Sequence, residues 1–284
     1  MQLKTGRRGE ASCVVGVPIF LQVIEMNILV CVKQVPDLEQ MSIDCGSDGV
    51  PVIGEAAEFR MNRFDEFAVE AAVQLKEALT GVRIDVVSVG PEPALAVIKR
   101  AIGMGADQGV LLDTGDQPDA GPAEVARRIA NHATSHRYDL IFTGSWSEDG
   151  MNGQVGPMAA SLLNLPCATQ VMALKLDEES RIAAVEREVE GGHRERLELR
   201  LPALIALQSG INHPRYPSLS NLLRANRQPV DIIAPSPAEK GIDPVVCLGL
   251  MRPPRTRAGR LLEGSLQAKA ETFLSLLREK ALIR

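Results

Sequence analysis

Residues 138–163 read Tyr-Asp-Leu-Ile-Phe, then Thr-Gly-Ser-Trp-Ser-Glu-Asp-Gly-Met-Asn-Gly-Gln-Val-Gly-Pro, then Met-Ala-Ala-Ser-Leu-Leu. The first five residues have the apolar character of a short buried strand. The last six predict a helix that is entered through Pro157, because the first turn of a helix does not need that residue's N–H. Residues 143–157 between them are called the glycine loop below. A strand, a glycine loop and a helix N-terminus in this order predict a phosphate site, since free N–H groups and the helix dipole attract an anion.

The glycines of this loop support the prediction. Gly144, Gly150, Gly153 and Gly156 let the backbone turn tightly and approach a ligand closely. The loop matches neither the Walker A pattern nor G-x-G-x-x-G. An ordinary polar loop between a strand and a helix therefore stays an open alternative.

Short apolar runs alternate with amphipathic stretches along the first half of the chain. The predicted strands are residues 27–35, 83–89, 109–113 and 138–142, and the predicted helices are residues 62–79, 94–104 and 123–135. This alternation predicts an α/β fold with a doubly wound, mainly parallel sheet of the Rossmann-like, adenine-nucleotide-binding kind. Ligands of such sheets bind at the carboxyl ends of the strands, so we expect the loops after Val35, Val89 and Phe142 to converge on one site.

The second half of the chain has a different pattern. Further strands are predicted at residues 170–176, 181–190, 194–199 and 203–208. In the first half, residues 37–60 could hold a short hairpin between the first predicted strand and the first predicted helix. Residues 209–229 are polar and read as a loop. From residue 231 the periodicity is lost, and an amphipathic helix is predicted at residues 266–281. We therefore expect a nucleotide-binding domain at residues 26–230, including the loop at 209–229, and a C-terminal arm at residues 231–284 that wraps a partner.

The first 25 residues are predicted to lie outside the fold. Lys4, Arg7 and Arg8 precede an apolar run, as in a signal peptide, but no small-residue cleavage site follows. Met26 begins a strong strand at once. An extension, or an upstream start of translation, is therefore favoured over a targeting signal.

Composition argues against several functions. The net charge of −5 and the isoelectric point of about 5.5 argue against nucleic acid as the main partner. Five dispersed cysteines without a C-x-x-C spacing indicate a reducing, cytoplasmic compartment and no structural zinc. His132 and His136 lie four residues apart on a predicted helix without a suitable acidic ligand, so no metal site is predicted.

Several long motifs, in the expected order, resemble the beta subunit of electron transfer flavoprotein over residues 26–284. They are Met-Asn-Ile-Leu-Val-Cys-Val-Lys-Gln-Val-Pro-Asp at 26–37, Met-Asn-Arg-Phe-Asp-Glu-Phe-Ala-Val-Glu at 61–70, Val-Glu-Arg-Glu-Val-Glu-Gly-Gly at 185–192 with Leu-Pro-Ala-Leu-Ile-Ala at 201–206, and Asn-His-Pro-Arg-Tyr-Pro-Ser-Leu at 212–219. The third motif fits the family signature throughout, and the fourth resembles the start of the family's recognition loop.

The resemblance implies a heterodimer with an alpha subunit that holds most of one FAD for electron transfer. It implies that electrons come from flavin dehydrogenases, such as acyl-CoA dehydrogenases, and pass to a quinone-linked oxidoreductase. In this family the beta subunit itself holds a second nucleotide. That nucleotide is AMP, as a buried structural ligand, or a second FAD in electron-bifurcating members.

The resemblance also implies which residues bind the cofactors. These are Cys31, Lys33, Asn62, Arg63, Phe64, Asp65, Val89, Gly144, Glu148, Asp149, Gly150, Met151, Asn152, Gly153, Gln154, Val155 and Gly156. Phe64 matches an aromatic position near the electron-transfer flavin. Some members have an aromatic residue at another position close to the flavin, and Leu38 occupies that position here.

Two departures from the family bear on the identity of the second nucleotide. Bifurcating members often carry Asp-Gly-Asp-Thr-Ala-Gln-Val-Gly-Pro, whereas residues 149–157 read Asp-Gly-Met-Asn-Gly-Gln-Val-Gly-Pro. Residues 191–192 also resemble non-bifurcating members, whereas residues 33–37 resemble bifurcating ones. AMP is favoured, with a second FAD as the alternative.

A partner-binding segment is predicted within residues 209–229. Its residues are Arg215, Tyr216, Leu219, Leu222, Leu223 and Arg224. An exposed leucine in a polar, proline-rich stretch is a candidate anchor for a partner's pocket, so Leu219 is the central residue of this prediction. The alternative is a leucine that folds back on its own loop.

The glycine loop alone also allows a transferase or hydrolase that uses an adenine nucleotide, or a bare nucleotide-sensing module. The sequence lacks a Walker lysine and a G-x-S-x-G elbow at Ser145 or Ser147. Glu148 and Asp149 could form a carboxylate pair for hydrolysis, but loop capping and ribose binding are the favoured roles.

Overall fold

The structure is a computed structural model that describes residues 25–37, 44–45, 51–52, 58–115, 121–234 and 259–283. The predictions for residues 1–24, for Leu38 and for residues 235–258 lie outside the described residues. No helix within the described ranges is long and apolar enough to cross a bilayer. The described residues fall into two compact units, of which the first holds residues 25–37, 58–115 and 121–234, and the second holds residues 44–45, 51–52 and 259–283.

The secondary structure follows the predicted alternation of strands and helices. The strands are β1 (Met26–Cys31), β2 (Gln34–Pro36), β3 (Asp44–Cys45), β4 (Pro51–Val52), β5 (Phe59–Met61), β6 (Val82–Gly90), β7 (Gln108–Asp113), β8 (Leu140–Gly144), β9 (Cys167–Asp177), β10 (Ile182–Val189), β11 (His193–Arg200), β12 (Ala203–Leu207) and β13 (Asp231–Ile233). The helices are α1 (Arg63–Ala78), α2 (Leu95–Met104), α3 (Pro122–Thr134), α4 (Val155–Leu163), α5 (Leu219–Arg227) and α6 (Leu266–Glu279).

The main sheet of the first unit has nine strands among the described residues, in the order β11-β10-β9-β12-β8-β1-β6-β7-β13. All neighbours from β9 to β13 in this order pair in parallel. The strands β9, β10 and β11 form an antiparallel three-stranded meander at one side. The predicted α/β fold with a mainly parallel sheet is confirmed.

Helices cover both faces of this sheet, as expected for a doubly wound fold. Ile28 and Val30 of β1 pack in a core cluster with α1 and α2, whereas Leu29 and Cys31 pack in a second cluster with α3 and α4. Successive side chains of a strand point to opposite faces, so a strand covered on both sides is apolar at nearly every position. This explains the continuous apolar run of β1.

The predicted strand at residues 27–35 is two strands in the structure, which corrects the prediction. β1 ends at Cys31, and β2 pairs with β5 in a separate antiparallel ribbon. The break lies at Lys33, whose N–H donates to the carboxylate of Asp65 at 2.7 Å and whose carbonyl accepts from the N–H of Asn62 at 2.9 Å. These tertiary contacts replace the hydrogen bonds that would continue the strand.

Residues 209–229 contain a helix rather than only a loop, which corrects a second prediction. α5 begins after Ser218, whose hydroxyl accepts a hydrogen bond from the N–H of Asn221 at 3.2 Å and so caps the helix. β13, at residues where no periodicity was recognised, pairs with β7 at the sheet edge. The main sheet therefore extends three residues beyond residue 230.

The predicted helices at residues 62–79, 94–104 and 123–135 are confirmed to within one residue at each end, whereas α4 begins at Val155, earlier than predicted. In the second unit, β3 and β4 form the short hairpin that the turn signals indicated. The second unit also contains α6, which begins after Ser265, whose hydroxyl accepts from the N–H of Ala268 at 3.3 Å.

Candidate functional site

The glycine loop leaves the carboxyl end of β8 and enters α4. Within the loop, Ser147 and Asn152 form a tight turn, in which the N–H of Ser147 donates to the carbonyl of Asn152 at 3.0 Å. The side chain of Asn152 then accepts from the N–H of Gln154 at 3.0 Å. The N–H groups of Val155 and Gly156 are the first two of α4 and have no acceptor within the helix. They are therefore suited to an anionic oxygen.

Asp65 joins the loop to the end of β1. This buried carboxylate accepts a hydrogen bond from the N–H of Lys33 at 2.7 Å and another from the N–H of Gly144 at 3.0 Å. Burial raises the pKa of Asp65 to about 7, although the two amide donors oppose this shift. The contacts bring the end of β1, the first turn of α1 and the end of β8 together at the carboxyl edge of the sheet.

Asn62 and Glu148 form a reciprocal pair between α1 and the glycine loop. The side chain of Asn62 donates to the carbonyl of Trp146 at 2.7 Å and accepts from the N–H of Glu148 at 3.1 Å. The carboxylate of Glu148 accepts from the N–H of Arg63 at 3.1 Å, at the first position of α1. A capping box satisfies two helix N–H groups within one turn. Here a similar exchange joins residues that are 84 to 86 positions apart.

The charged side chains around the loop are arranged in pairs. Lys33 contacts Asp149 at 2.6 Å, and Glu148 contacts Arg60 at 3.0 Å and Arg63 at 3.8 Å. The role of Arg60 was missed by the sequence prediction, because nothing in its local sequence indicates a partner in a loop 88 residues away.

The apolar floor beside the loop comes from β1 and β6. Cys31 is buried, and Val89 is partly buried against the same cluster, which also contains side chains of α3 and α4. Burial raises the pKa of the Cys31 thiol well above its usual range, so the thiol is neutral. The loop after β6 is tied to β2, because the side chain of Gln34 donates to the carbonyl of Pro93 at 3.0 Å. The three loops that were expected to converge therefore lie at one edge.

An open cavity of about 450 Å³ lies over the glycine loop. Its lining residues are Trp146, Gly150, Met151, Asn152, Gly153 and Gln154. Another cavity, of about 390 Å³, is lined by residues such as His136, Asp139 and Leu165, and it contains none of the predicted site residues.

Most glycines of the loop are required by the protein's own packing. A Cβ atom on Gly144 would lie 2.4 Å from a carboxylate oxygen of Asp65, and one on Gly153 would lie 2.7 Å from the carbonyl oxygen of Ser145. In contrast, a Cβ on Gly150 would lie 3.6 Å from its nearest neighbour, which is an ordinary contact. Gly150 is thus the glycine of the loop that could be replaced by alanine without a steric clash within the loop.

The predicted partner-binding residues divide into two groups. The guanidinium of Arg215 contacts the buried carboxylate of Glu70 at 2.8 Å and also pairs with Glu77, so this side chain attaches its segment to α1. Leu222 is half-buried and lies against Gly103 of α2. These two residues are occupied by contacts within the chain.

The other predicted partner-binding residues are exposed. Leu219 and Leu223 are 74% and 53% exposed, and they lie four residues apart on the same face of α5. Tyr216 and Arg224 are also exposed, and the guanidinium of Arg100 lies 5.8 Å from the ring centre of Tyr216. This part of α5 is therefore free for contacts with another molecule, as far as the described residues are concerned.

No group of three or more metal-ligating side chains is found within the described parts of the chain.

Residues 50–238 match the family model of the electron transfer flavoprotein domain. The chain is 34% identical over 264 residues to the electron transfer flavoprotein subunit beta of Bacillus subtilis strain 168, which covers 90% of this chain and 99% of that protein.

Two further relatives have the same name. The Mus musculus protein is 34% identical over 244 residues, which is 84% of this chain and 93% of that protein. The Thermoanaerobacterium thermosaccharolyticum protein is 30% identical over 272 residues, which is 91% of this chain and 100% of that protein. With a family model that matches more than half of the chain and relatives that match along nearly their whole length, the chain belongs to the electron transfer flavoprotein beta subunit family.

Proposed function

We propose that this chain binds AMP at the glycine loop and pairs with an FAD-carrying alpha subunit to form an electron carrier. The observation that carries the nucleotide proposal is the double hydrogen bond of Asp65. By holding the N–H groups of Lys33 and Gly144, it places the end of β8, from which the glycine loop leads into α4, beside the end of β1. A helix N-terminus at the carboxyl edge of a parallel sheet is a common nucleotide site.

The residues of this site suit one phosphate and one adenosine. The free N–H groups of Val155 and Gly156 would hold the phosphate, since they point out of the first turn of α4. Cys31 and Val89 provide an apolar floor. The carboxylate of Glu148 is already engaged by the N–H of Arg63 and the side chain of Arg60, so we assign it to loop capping. Asp149, which pairs with Lys33 and is more exposed than Glu148, is the acidic residue that we assign to a ribose hydroxyl.

The chain's part in electron transfer is to position cofactor and partners. FAD supplies the redox chemistry when it is bound in the heterodimer. The exposed leucines of α5 would orient a flavin dehydrogenase, such as an acyl-CoA dehydrogenase, and a quinone-linked oxidoreductase would take the electrons onward. We place this carrier in the cytoplasm, on the ground of its dispersed cysteines.

The experiment is nucleotide analysis of the purified heterodimer. The complex is denatured, and the released nucleotides are identified by mass spectrometry and counted per heterodimer. We expect one FAD and one AMP. Two FAD and no AMP would instead support a bifurcating subunit. The observation that favours this alternative is that residues 33–37 resemble those of bifurcating members. Release of one FAD alone would contradict a nucleotide site in this chain, and turnover of ATP would favour a transferase or hydrolase.

A further inference from the structure

We propose that Arg60 is a positioning residue for the nucleotide. It holds the carboxylate of Glu148 in place, and Glu148 in turn holds the glycine loop against the amino end of α1. The inference rests on the proposed nucleotide site. It adds a residue that lies outside every predicted set of site residues and does not belong to the glycine loop.

Arg60 bridges two carboxylates from different parts of the chain. Its Nη2 atom lies 3.1 Å from one oxygen of Glu148 and 3.0 Å from the other. Its Nε atom lies 3.4 Å from a carboxylate oxygen of Asp37, which follows β2. Arg60 itself belongs to β5, which pairs with β2. One guanidinium therefore connects the β2–β5 ribbon to the glycine loop.

Glu148 is the residue through which Arg60 would act. Its carboxylate accepts from the N–H of Arg63, and its own N–H donates to the side chain of Asn62. A carboxylate at a helix N-terminus is stabilised by the free N–H groups and the helix dipole. Without a cation behind it, this carboxylate can turn to solvent, and the loop then loses a contact with α1.

Arg60 is better placed for this role than the other cations around the loop. Its side chain is 23% exposed and that of Glu148 is 21% exposed, whereas those of Arg63 and Lys33 are about half exposed. Arg63 also lies farther from Glu148, at 3.8 Å. Pairs that are shielded from solvent are screened less by salt and contribute more than exposed pairs. The guanidinium of Arg60 also reaches two carboxylates through different nitrogens, Glu148 through Nη2 and Asp37 through Nε, whereas a lysine has only one nitrogen.

The expected consequence is on the rate at which the nucleotide leaves. Release requires the glycine loop to move away from the ligand, and the Arg60–Glu148 contact resists that motion. Loss of one charge-assisted hydrogen bond corresponds to a change of about tenfold in such a rate. The heterodimer contacts and the FAD of the alpha subunit should stay unchanged.

The test uses the purified heterodimer loaded with radiolabelled AMP. Dissociation is followed after addition of excess unlabelled AMP, for the parent and for Arg60→Gln, with Arg83→Gln as matched control. Arg83 also pairs with a carboxylate, that of Asp85 at 3.1 Å, but it is more exposed than Arg60 and lies near the amino end of β6, away from the glycine loop. We expect release to be about tenfold faster for Arg60→Gln, unchanged for Arg83→Gln, and intermediate for Arg60→Lys.

A second variant separates positioning from a general loss of stability. Glu148→Gln should speed release, and Arg60→Gln should add little to it, because both changes break the same contact. Additive effects of the two changes would contradict the inference. So would an unchanged release rate for Arg60→Gln with a lowered melting temperature, because that result indicates a structural role alone. If Arg60→Gln does not fold, the comparison of Arg60→Lys with the parent decides the question in the same way.

Failure of this inference can be told from failure of the proposed function. If the parent heterodimer binds neither AMP nor, in a parallel measurement, FAD at this chain, the proposed function is wrong. If the parent binds one of them and Arg60→Gln releases it at the parental rate, only the role of Arg60 is wrong.

Discussion

Asp65 accepts a hydrogen bond from the backbone N–H of Gly144 at 3.0 Å, across 79 residues of sequence. The same carboxylate holds the N–H of Lys33 at 2.7 Å. One buried side chain in the first turn of α1 thus sets the distance between the ends of β1 and β8. The place where the glycine loop begins is fixed by this contact.

Gly144→Ala is expected to destabilise the chain severely. The added Cβ would lie 2.4 Å from Asp65 and 2.6 Å from the side chain of Phe64, so the contact between α1 and β8 would have to open. We expect a loss of at least about 3 kcal/mol in the free energy of unfolding, measured by urea denaturation. Gly121→Ala is the control, because a Cβ there meets nothing within 4 Å. Equal effects of the two changes would contradict the prediction.

The buried carboxyl group of Asp65 should make stability depend on pH. Burial raises its pKa to about 7, whereas the unfolded chain ionises near 3.8. Between these values the folded state binds more protons than the unfolded state, so stability falls as pH rises and levels off above pH 7. The free energy of unfolding of the parent, relative to Asp65→Asn, should fall by up to about 4 kcal/mol from pH 4 to pH 8. A difference that rises with pH would refute this.

Gly153→Ala should reduce nucleotide binding, because the added Cβ would lie 2.7 Å from the carbonyl oxygen of Ser145 and distort the loop. Gly150→Ala is the matched control, since its Cβ would make only an ordinary contact at 3.6 Å. The measurement is the amount of AMP or FAD released per denatured heterodimer beyond the flavin of the alpha subunit. We expect clear loss for Gly153→Ala and parental content for Gly150→Ala. Retention by both variants would show that the loop tolerates the distortion.

Arg215→Ala should destabilise the fold rather than affect docking alone. Its removal leaves the buried carboxylate of Glu70 without its cation, which is unfavourable in a site shielded from water. Arg215 is itself one-third exposed, so we expect a loss of about 2 kcal/mol in the free energy of unfolding. Arg224→Ala, at an exposed position of α5, should leave stability unchanged in the same denaturation experiment. If Arg215→Ala is as stable as the parent, the prediction is wrong, and the assignment of Arg215 to partner binding is favoured instead.

Leu219→Ala should weaken docking to a flavin dehydrogenase by about 1–3 kcal/mol and leave the heterodimer and its FAD intact. Leu219 is exposed at the start of α5, where it can enter a partner's pocket. The measurement is the rate of reduction of the heterodimer by a cognate dehydrogenase at limiting concentration. Leu162→Ala, an exposed leucine on α4, is the control. Charge reversal at Arg224 should instead act on the association rate and its salt dependence.

The local pattern of the sequence was sufficient to predict the architecture. Apolar runs covered on both faces, such as β1, and helices with one apolar side, such as α1, have periods that can be read within ten to twenty residues. The glycine loop was also recognised, because a strand, glycines and a helix start are adjacent in the chain. The helix α5 was missed, since it is only nine residues long, five of them are polar, and it follows two prolines.

The sequence by itself determined the α/β fold, the position of the glycine loop and the family. Only the tertiary structure decided the roles of individual polar residues. Asp65 and Asn62 hold the site together instead of capping their own helix, because their partners lie 32 to 86 residues away. Arg215 is fixed by Glu70 whereas Leu219 is exposed, although the two are only four residues apart. The physical reason is that periodicity is a local property, whereas the partner of a polar side chain is set by which strand ends meet at the edge of the sheet.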